Sequence, residues 1–403
     1  MEDNTEYLFS HKKRIYLTRP IQISGQVTLG KISGNRSLLI IDTLFNGMGS
    51  IRFAPSANTI ILLGKQSYVT KDISIIVERG TTLGIGSNEA LRSKGSITLR
   101  AGHIRALVNA NIASAIRVEE NVDLSVDKNV HLTIDGAITG FGNISKSGKG
   151  SLTLNQPNFT GRILFNDGKL LIVGDASKSA IIVNGGTVIG DGRFGPTTIQ
   201  GGLISGNGIY DSLKITGGVL SPGNSIGSTI VNGNYTQDSG TIYQVELDRT
   251  DSDQLLIGGS ANIATGAIVD ITKISSTILK GSSYSILIAD QGVNQLWTEQ
   301  RIAPAIGGEL TLIDGKSVKL TTTKSVVFAG RNIRAGNPAA VKDYLNKIEI
   351  TDDPSVVDVI LLIDRFDDCK LNDALNKLHP ARFAAFELSN IDDHHTVFSL
   401  FTT

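Results

Sequence analysis

A single cysteine, Cys369, stands in the 403 residues. An internal disulfide needs two and a cysteine-based zinc site needs more, so neither can hold this chain together. Proline is scarce at 9, aromatic residues reach only 5%, and Trp297 is the sole tryptophan. Neither sign of charge is in excess, because 38 Lys and Arg balance 38 Asp and Glu. Without a field over the whole chain, neither nucleic acid nor an anionic lipid surface is implied as a partner. No run approaches the roughly eighteen apolar residues that a membrane-spanning helix needs. The opening MEDNTEYLFSHKKR lacks the apolar centre of a signal peptide, so the chain is expected to be cytoplasmic or to have lost its true beginning.

What is abundant is glycine, at 44 residues, together with Ile, Val, Leu, Ser, Thr and Asn. That mixture predicts many short strands joined by glycine turns. Self-similarity sharpens the expectation. GGTVIGDG begins at Gly185, GGLISGNG at Gly201 and GGVLSPGN at Gly217, and DGKLLIVGD places a further unit at Gly168. The separation of the first three is too short for a βαβ unit, which needs about thirty residues. It suits one coil of a parallel β-helix, in which inward side chains stack on those of the next coil and identical positions recur at the coil period. Looser units precede these. Val122, Leu124 and Val126, then Val130, Leu132 and Ile134, alternate at period two, as strands with one buried face should. We expect roughly 12 to 15 coils in the first 270 residues, stacked at about 4.8 Å.

The fold class read from these patterns is all-β: a right-handed parallel β-helix, or solenoid, with a β cap and a short α-helical C-terminal tail. The solenoid is assigned to residues 1–234. Longer strands with hairpin-like turns over 235–330 suit an element that caps the open end of a solenoid. A helical tail follows over 331–403. Leu371, Ala374, Leu375 and Leu378 recur at i, i+3, i+4, i+7, a helical pattern that ends near Pro380. DDPSVVDVILLIDRF predicts a helix from its proline onward, and ARFAAFEL restarts one after Pro380.

Gly223, Asn224, Ser225, Ile226 and Gly227 spell G-x-S-x-G, the form of a nucleophile elbow. An elbow places its serine between a strand and a helix. Here Pro222 precedes it and the β-branched STIVNGNYTQ follows, so Ser225 reads as a corner of the repeat; His379, His394 and His395 are the distant candidate bases. The longer context carries more information. GGVLSPGNSIGSTIVNGNYTQDSGTIYQVELD, then SDQLLIGGSANIATGAIVDI, resembles the junction of bacterial autotransporter passenger domains where the β-helix meets its C-terminal cap, or autochaperone region. GFGNISKSGKGSLTLN resembles the passenger repeat that precedes it, and LNDALNKLHPARFAAFEL the linker toward a membrane β-barrel. The resemblance covers residues 140–271 most specifically. It implies a surface-displayed or secreted protein at the outer membrane, an adhesive or host-contacting role, an unidentified host or surface ligand, and a β-barrel translocator as partner. The signal peptide and the barrel of that family are not found in this chain, which is expected to be a fragment.

No residue is assigned a catalytic, cofactor-binding or metal-binding role, and no cofactor is expected. NISKSGKGS misses the P-loop pattern, with Gly142 one residue too early and Gly150 where Ser or Thr is needed, and reads as a flexible corner. Asp392, Asp393, His394 and His395 read as a solvated turn, and Asp251 with Asp253 as a polar hairpin, calcium being the minor reading for the latter pair. The N-x-[ST] sequences at Asn35, Asn143, Asn158 and Asn234 are expected from composition, and Trp297 reads as a residue of the cap core. The alternative function is a β-helical polysaccharide lyase or glycoside hydrolase, which needs carboxylates gathered on one face. Asp175, Asp191 and Asp211 are its candidates, the first two being spaced so that they could stack.

Overall fold

The computed structural model describes residues 5–9, 14–31, 37–53, 59–64, 68–69, 73–88, 91, 95–346 and 354–378. They fall into two compact units, one of residues 1–221 and 229–241, the other of 222–228 and 242–403.

The first unit is a parallel β-solenoid. Each complete coil lays down three short strands that join three separate sheets: Ala115–Val118, Val122–Val126 and His131–Ile134 form one such coil. Pairing throughout is parallel and in register. Within this unit one sheet holds the strands from Arg14–Leu17 to Tyr235–Gln237. A second, which begins at Thr5–Phe9, ends at Ile138–Gly140. Further along the chain another takes up the third side, beginning at Asp175–Ala176.

The coil length is written in the register. Ser37 pairs with Thr59 and Thr59 with Thr81, a long coil. Ile181 pairs with Thr197 and Thr197 with Leu213, which is the sixteen-residue coil of the glycine repeats. One spacing differs from expectation. Lys169 pairs with Thr187, so Gly168 stacks under Gly186 and not under Gly185. The column Gly168, Gly186, Gly202, Gly218 has φ of 83°, 73°, 78° and 83°. A Cβ on Gly202 would lie 2.4 Å from the Gly186 carbonyl oxygen, so both the left-handed turn and the approach of the next coil demand glycine.

The interior is built from ladders of like residues. Leu132, Leu152, Leu170, Val188 and Ile204 stack in one line, each no more than 1% exposed. Val122, Leu124 and Val126 are buried as the alternation predicts, as are Leu132 and Ile134; Val130 lies just before its strand and is half-buried. The outer faces carry polar ladders that link successive coils. Glu78 pairs with Arg52 and Arg100, and Arg100 with Glu119. The Asn184 amide donates to Asn166, which donates to Ser145. Asn143 and Asn158 belong to such ladders, accepting from the Arg162 backbone N–H and the Lys178 ammonium. Asn35 lies outside the described residues.

The second unit begins with parallel strands, Ile242–Leu247 beside Ile268–Ile274 beside Glu299–Ile302. It then turns antiparallel, with Ser317–Thr321 between Ser283–Ala289 and Glu309–Ile313. Trp297 is buried in the core of this unit and stacks on Tyr243 at 5.6 Å. Three helices follow: α1 (Asn337–Leu345), α2 (Pro354–Ile363) and α3 (Asp368–Lys377). The proline start of α2 and the apolar spacing of α3 are those expected. Asp367 caps α3, its carboxylate accepting the Lys370 backbone N–H at 2.9 Å, a bond that holds this carboxyl below its ordinary range. Leu371, Leu375, Val341, Leu345 and Ile363 close a small core with Phe328. The α1 helix lies within the stretch expected to be helical, although no separate pattern was assigned to it; Pro338 near its start and Val341 and Leu345 at i, i+4 are the signals that mark it. The expected ARFAAFEL helix and the Asp392–His395 turn lie outside the described residues.

Candidate functional site

The second unit carries an open, mostly polar cavity of about 350 Å³. Its lining includes Ser228, Thr250, Asp251, Gln254, Ser283 and Ser285. Ser283 and Ser285 lie two apart on one strand, and the buried Tyr284 between them also contributes to the lining. The other wall is a hairpin over 248–251, closed by the Asp248 N–H donating to the Asp251 carbonyl at 2.8 Å.

The hairpin is held from three directions. Asp253, 1% exposed, accepts the Gly227 N–H on Oδ1 at 3.0 Å and the Glu246 N–H on Oδ2 at 2.8 Å. Arg249 donates to Asp364 of the loop after α2, and Asp364 also meets Arg331. The Tyr284 hydroxyl donates to the Arg249 carbonyl at 2.9 Å, and burial raises its pKa above the ordinary value. Thus Asp251 and Asp253 play different parts. Asp253 is buried and accepts a backbone N–H on each oxygen, so it serves as an anchor of the hairpin. Asp251 is exposed at the cavity and takes one hydrogen bond, from Thr250 Oγ1 at 2.9 Å.

The three candidate acids of the solenoid do not line up. Asp175 pairs with Arg193, and Arg193 with Ile209. Asp191 lies under Asn207, whose N–H it accepts at 3.0 Å, and Asp211 lies above Gly195. The spacing that predicted stacking of Asp175 and Asp191 assumed a sixteen-residue coil, but the coil there is longer, so a base covers Asp175. The Ser177 hydroxyl and N–H hold the Asp175 carboxyl below its usual range.

Ser225 is exposed in a turn and leads into the strand Ser228–Val231, not a helix, so no elbow is formed. His379, His394 and His395 lie outside the described residues. The NISKSGKGS corner joins two strands, Ile144–Ser147 and Ser151–Leu154. It is braced, in contrast to the flexible corner expected. Lys146 sits at an interior ladder position between Leu124 and Phe165, 0% exposed. Its ammonium donates to the carbonyls of Gly148, Gly150 and Asp167 and lies 5.6 Å from the Phe165 ring centre. Burial pulls its pKa down to about 8, with Asp167 and Asp123 opposing. Its place in the period-two phase after Ile144 is the signal that marks a buried lysine. The cavity had no such signal, because its lining comes from three separated segments.

No protein-family model matches the chain. Over 148 residues it is 28% identical to the adhesin BmaC autotransporter of Brucella suis biovar 1 (strain 1330), a match that spans 36% of this chain and 4% of that protein. The chain is weakly homologous to an autotransporter adhesin. Its parallel β-solenoid is consistent with a passenger domain of that kind, so the resemblance expected from the glycine junction is met by both the local similarity and the fold. The chain spans a small part of the relative it matches.

Proposed function

We propose that this chain is an adhesin-like, non-enzymatic passenger protein, located at the cell surface or outside the cell, whose solenoid presents outer faces and corners to a host or surface ligand. The observation that carries the reading is the similarity to an autotransporter adhesin in a chain whose own coils form a parallel β-solenoid. The chemistry of the outer faces supports it. Several of their charges are paired between coils, as in Arg52–Glu78–Arg100–Glu119, which suits contact by many shallow polar interactions more than attraction of one strongly charged partner. In the intact family a membrane β-barrel translocator delivers such a passenger, and we propose that partner and an outer-membrane route here.

The test is adherence. The purified full chain, coated on beads, is expected to bind host-cell monolayers or extracellular-matrix coatings above the level of an unrelated β-solenoid. Beads that bind no better than the control across both surfaces would overturn the adhesive role. Incubation with a panel of pectins and glycans separates this reading from a β-helical lyase or hydrolase. Product release lost in Asp191→Asn would favour the enzyme.

A further inference from the structure

Resting on the adhesive reading, we propose that the cavity between the 248–251 hairpin and the strand Ser283–Ala289 is a subsite for one neutral sugar ring of a surface glycan. The donor set selects the ligand. Asp251 contributes a carboxylate, Gln254 an amide, and Ser228, Thr250, Ser283 and Ser285 contribute hydroxyl groups. A pyranose carries adjacent hydroxyls that donate to a carboxylate while accepting from hydroxyl and amide donors, so it pairs with both halves of this set. Ile226 adds an apolar patch for the C–H face of a ring.

Other ligand classes fit less well. A divalent cation requires several oxygen ligands with charge, whereas Asp251 is the one carboxylate in the lining and Asp253 is committed to Gly227 and Glu246. Among the described residues no group of three or more His, Cys, Asp or Glu side chains is placed to hold a metal. An anionic ligand would meet the Asp251 charge with no Lys or Arg in the lining to offset it. An apolar ligand would strip water from at least four hydroxyls without replacing those bonds.

The cavity is also ordered in advance of any ligand. Asp253, the Arg249–Asp364 pair and the Tyr284 hydroxyl fix the hairpin on three sides, so little chain ordering is left to oppose binding. A binding group placed on such a support keeps more of its hydrogen-bond energy.

Saturation-transfer NMR on the full chain, with the methyl glycosides of glucose, galactose, mannose and N-acetylglucosamine as probes, tests the assignment. Transfer to ring protons of at least one probe is expected. Asp251→Ala and Gln254→Leu should each weaken it by about tenfold, Asp251→Asn by less, and Asp211→Ala on the solenoid should leave it unchanged. Because Asp251 is exposed, melting temperature should stay with the parent; Ser285→Leu, which fills the cavity from the opposite wall, gives an independent loss. No transfer from any of the four probes, or transfer unaltered in Asp251→Ala and Ser285→Leu, would overturn the subsite. Bead adherence without any sugar signal would overturn the subsite and leave the adhesive role standing. A sugar signal lost in Asp251→Ala, in a chain that adheres to nothing, would do the reverse.

Discussion

Lys146→Met removes one buried ammonium while keeping most of the side-chain volume. In the parent, Nζ donates to the carbonyls of Gly148, Gly150 and Asp167, the last two at 2.7 Å. Hydrogen bonds from a charged donor contribute about 1.5–3 kcal/mol each. Against them stands the cost of burying the charge, visible in a pKa drawn from 10.5 to about 8, which corresponds to about 3 kcal/mol. The balance leaves the parent ahead of the variant by about 2–6 kcal/mol at neutral pH. The pH dependence then has a definite sign. Between about 8 and 10.5 the unfolded chain keeps the Lys146 proton that the folded chain has shed, so the stability of the parent rises with pH across that window. The variant has no such rise. Buried Tyr210 and Tyr235, whose pKa values are pushed up by desolvation, lose stabilisation above their ordinary 10, but they do so in both proteins and cancel in the difference. Urea unfolding of both proteins at pH 7, 8, 9 and 10 gives that difference directly. A gap that stays flat from pH 7 to 10, or a variant as stable as the parent at pH 7, would refute the account of Lys146 as a charged brace.

Three further outcomes are expected. Gly202→Ala combines a left-handed φ of 78° with a clash at 2.4 Å, and should lower stability by at least about 2 kcal/mol in urea titration, whereas Gly240→Ala, with φ 75° and open space, should cost about 1–2; equal losses would dispose of the stacking argument. Tyr210→Phe removes a buried hydroxyl with no hydrogen-bond partner among the described residues and keeps the ring stacked on Phe194 at 4.6 Å, so its melting temperature should hold or rise, and a clear fall would mean the hydroxyl is satisfied after all. Asp253→Ala strands the Gly227 and Glu246 N–H groups and should cost about 2–4 kcal/mol, with Asp253→Asn recovering part of it; a neutral Asp253→Ala would remove the anchor from the hairpin.

The solenoid was legible because its physics repeats. Glycine corners and single apolar residues at inward positions recur from Gly185 onward, and the period-two runs around Leu124 and Leu132 follow from a strand with one wet face. Coil length was the weak point. Corners absorb extra residues without disturbing the strands, so the coil from Lys169 to Thr187 is longer than its successors. That change moved Gly168 onto Gly186 and placed Arg193, not Asp191, over Asp175. The cavity was illegible for a different reason. Ser228, Asp251 and Ser283 are ordinary polar residues in their own segments, and only tertiary pairing brings them to one wall.

Near-identical coils raise a degeneracy that a unique fold must break, since any one of them offers the next an equally greasy seat. Lys146 supplies a bookmark. Were the chain to slip by one coil, the ammonium would keep the carbonyls of Gly148 and Gly150, which travel with it, but would part from the Asp167 carbonyl of the next coil and from the Phe165 ring, with Val183 in the place of that ring. The misfit would fall at a single place, so one buried cation makes its own seat distinguishable from the others in the stack.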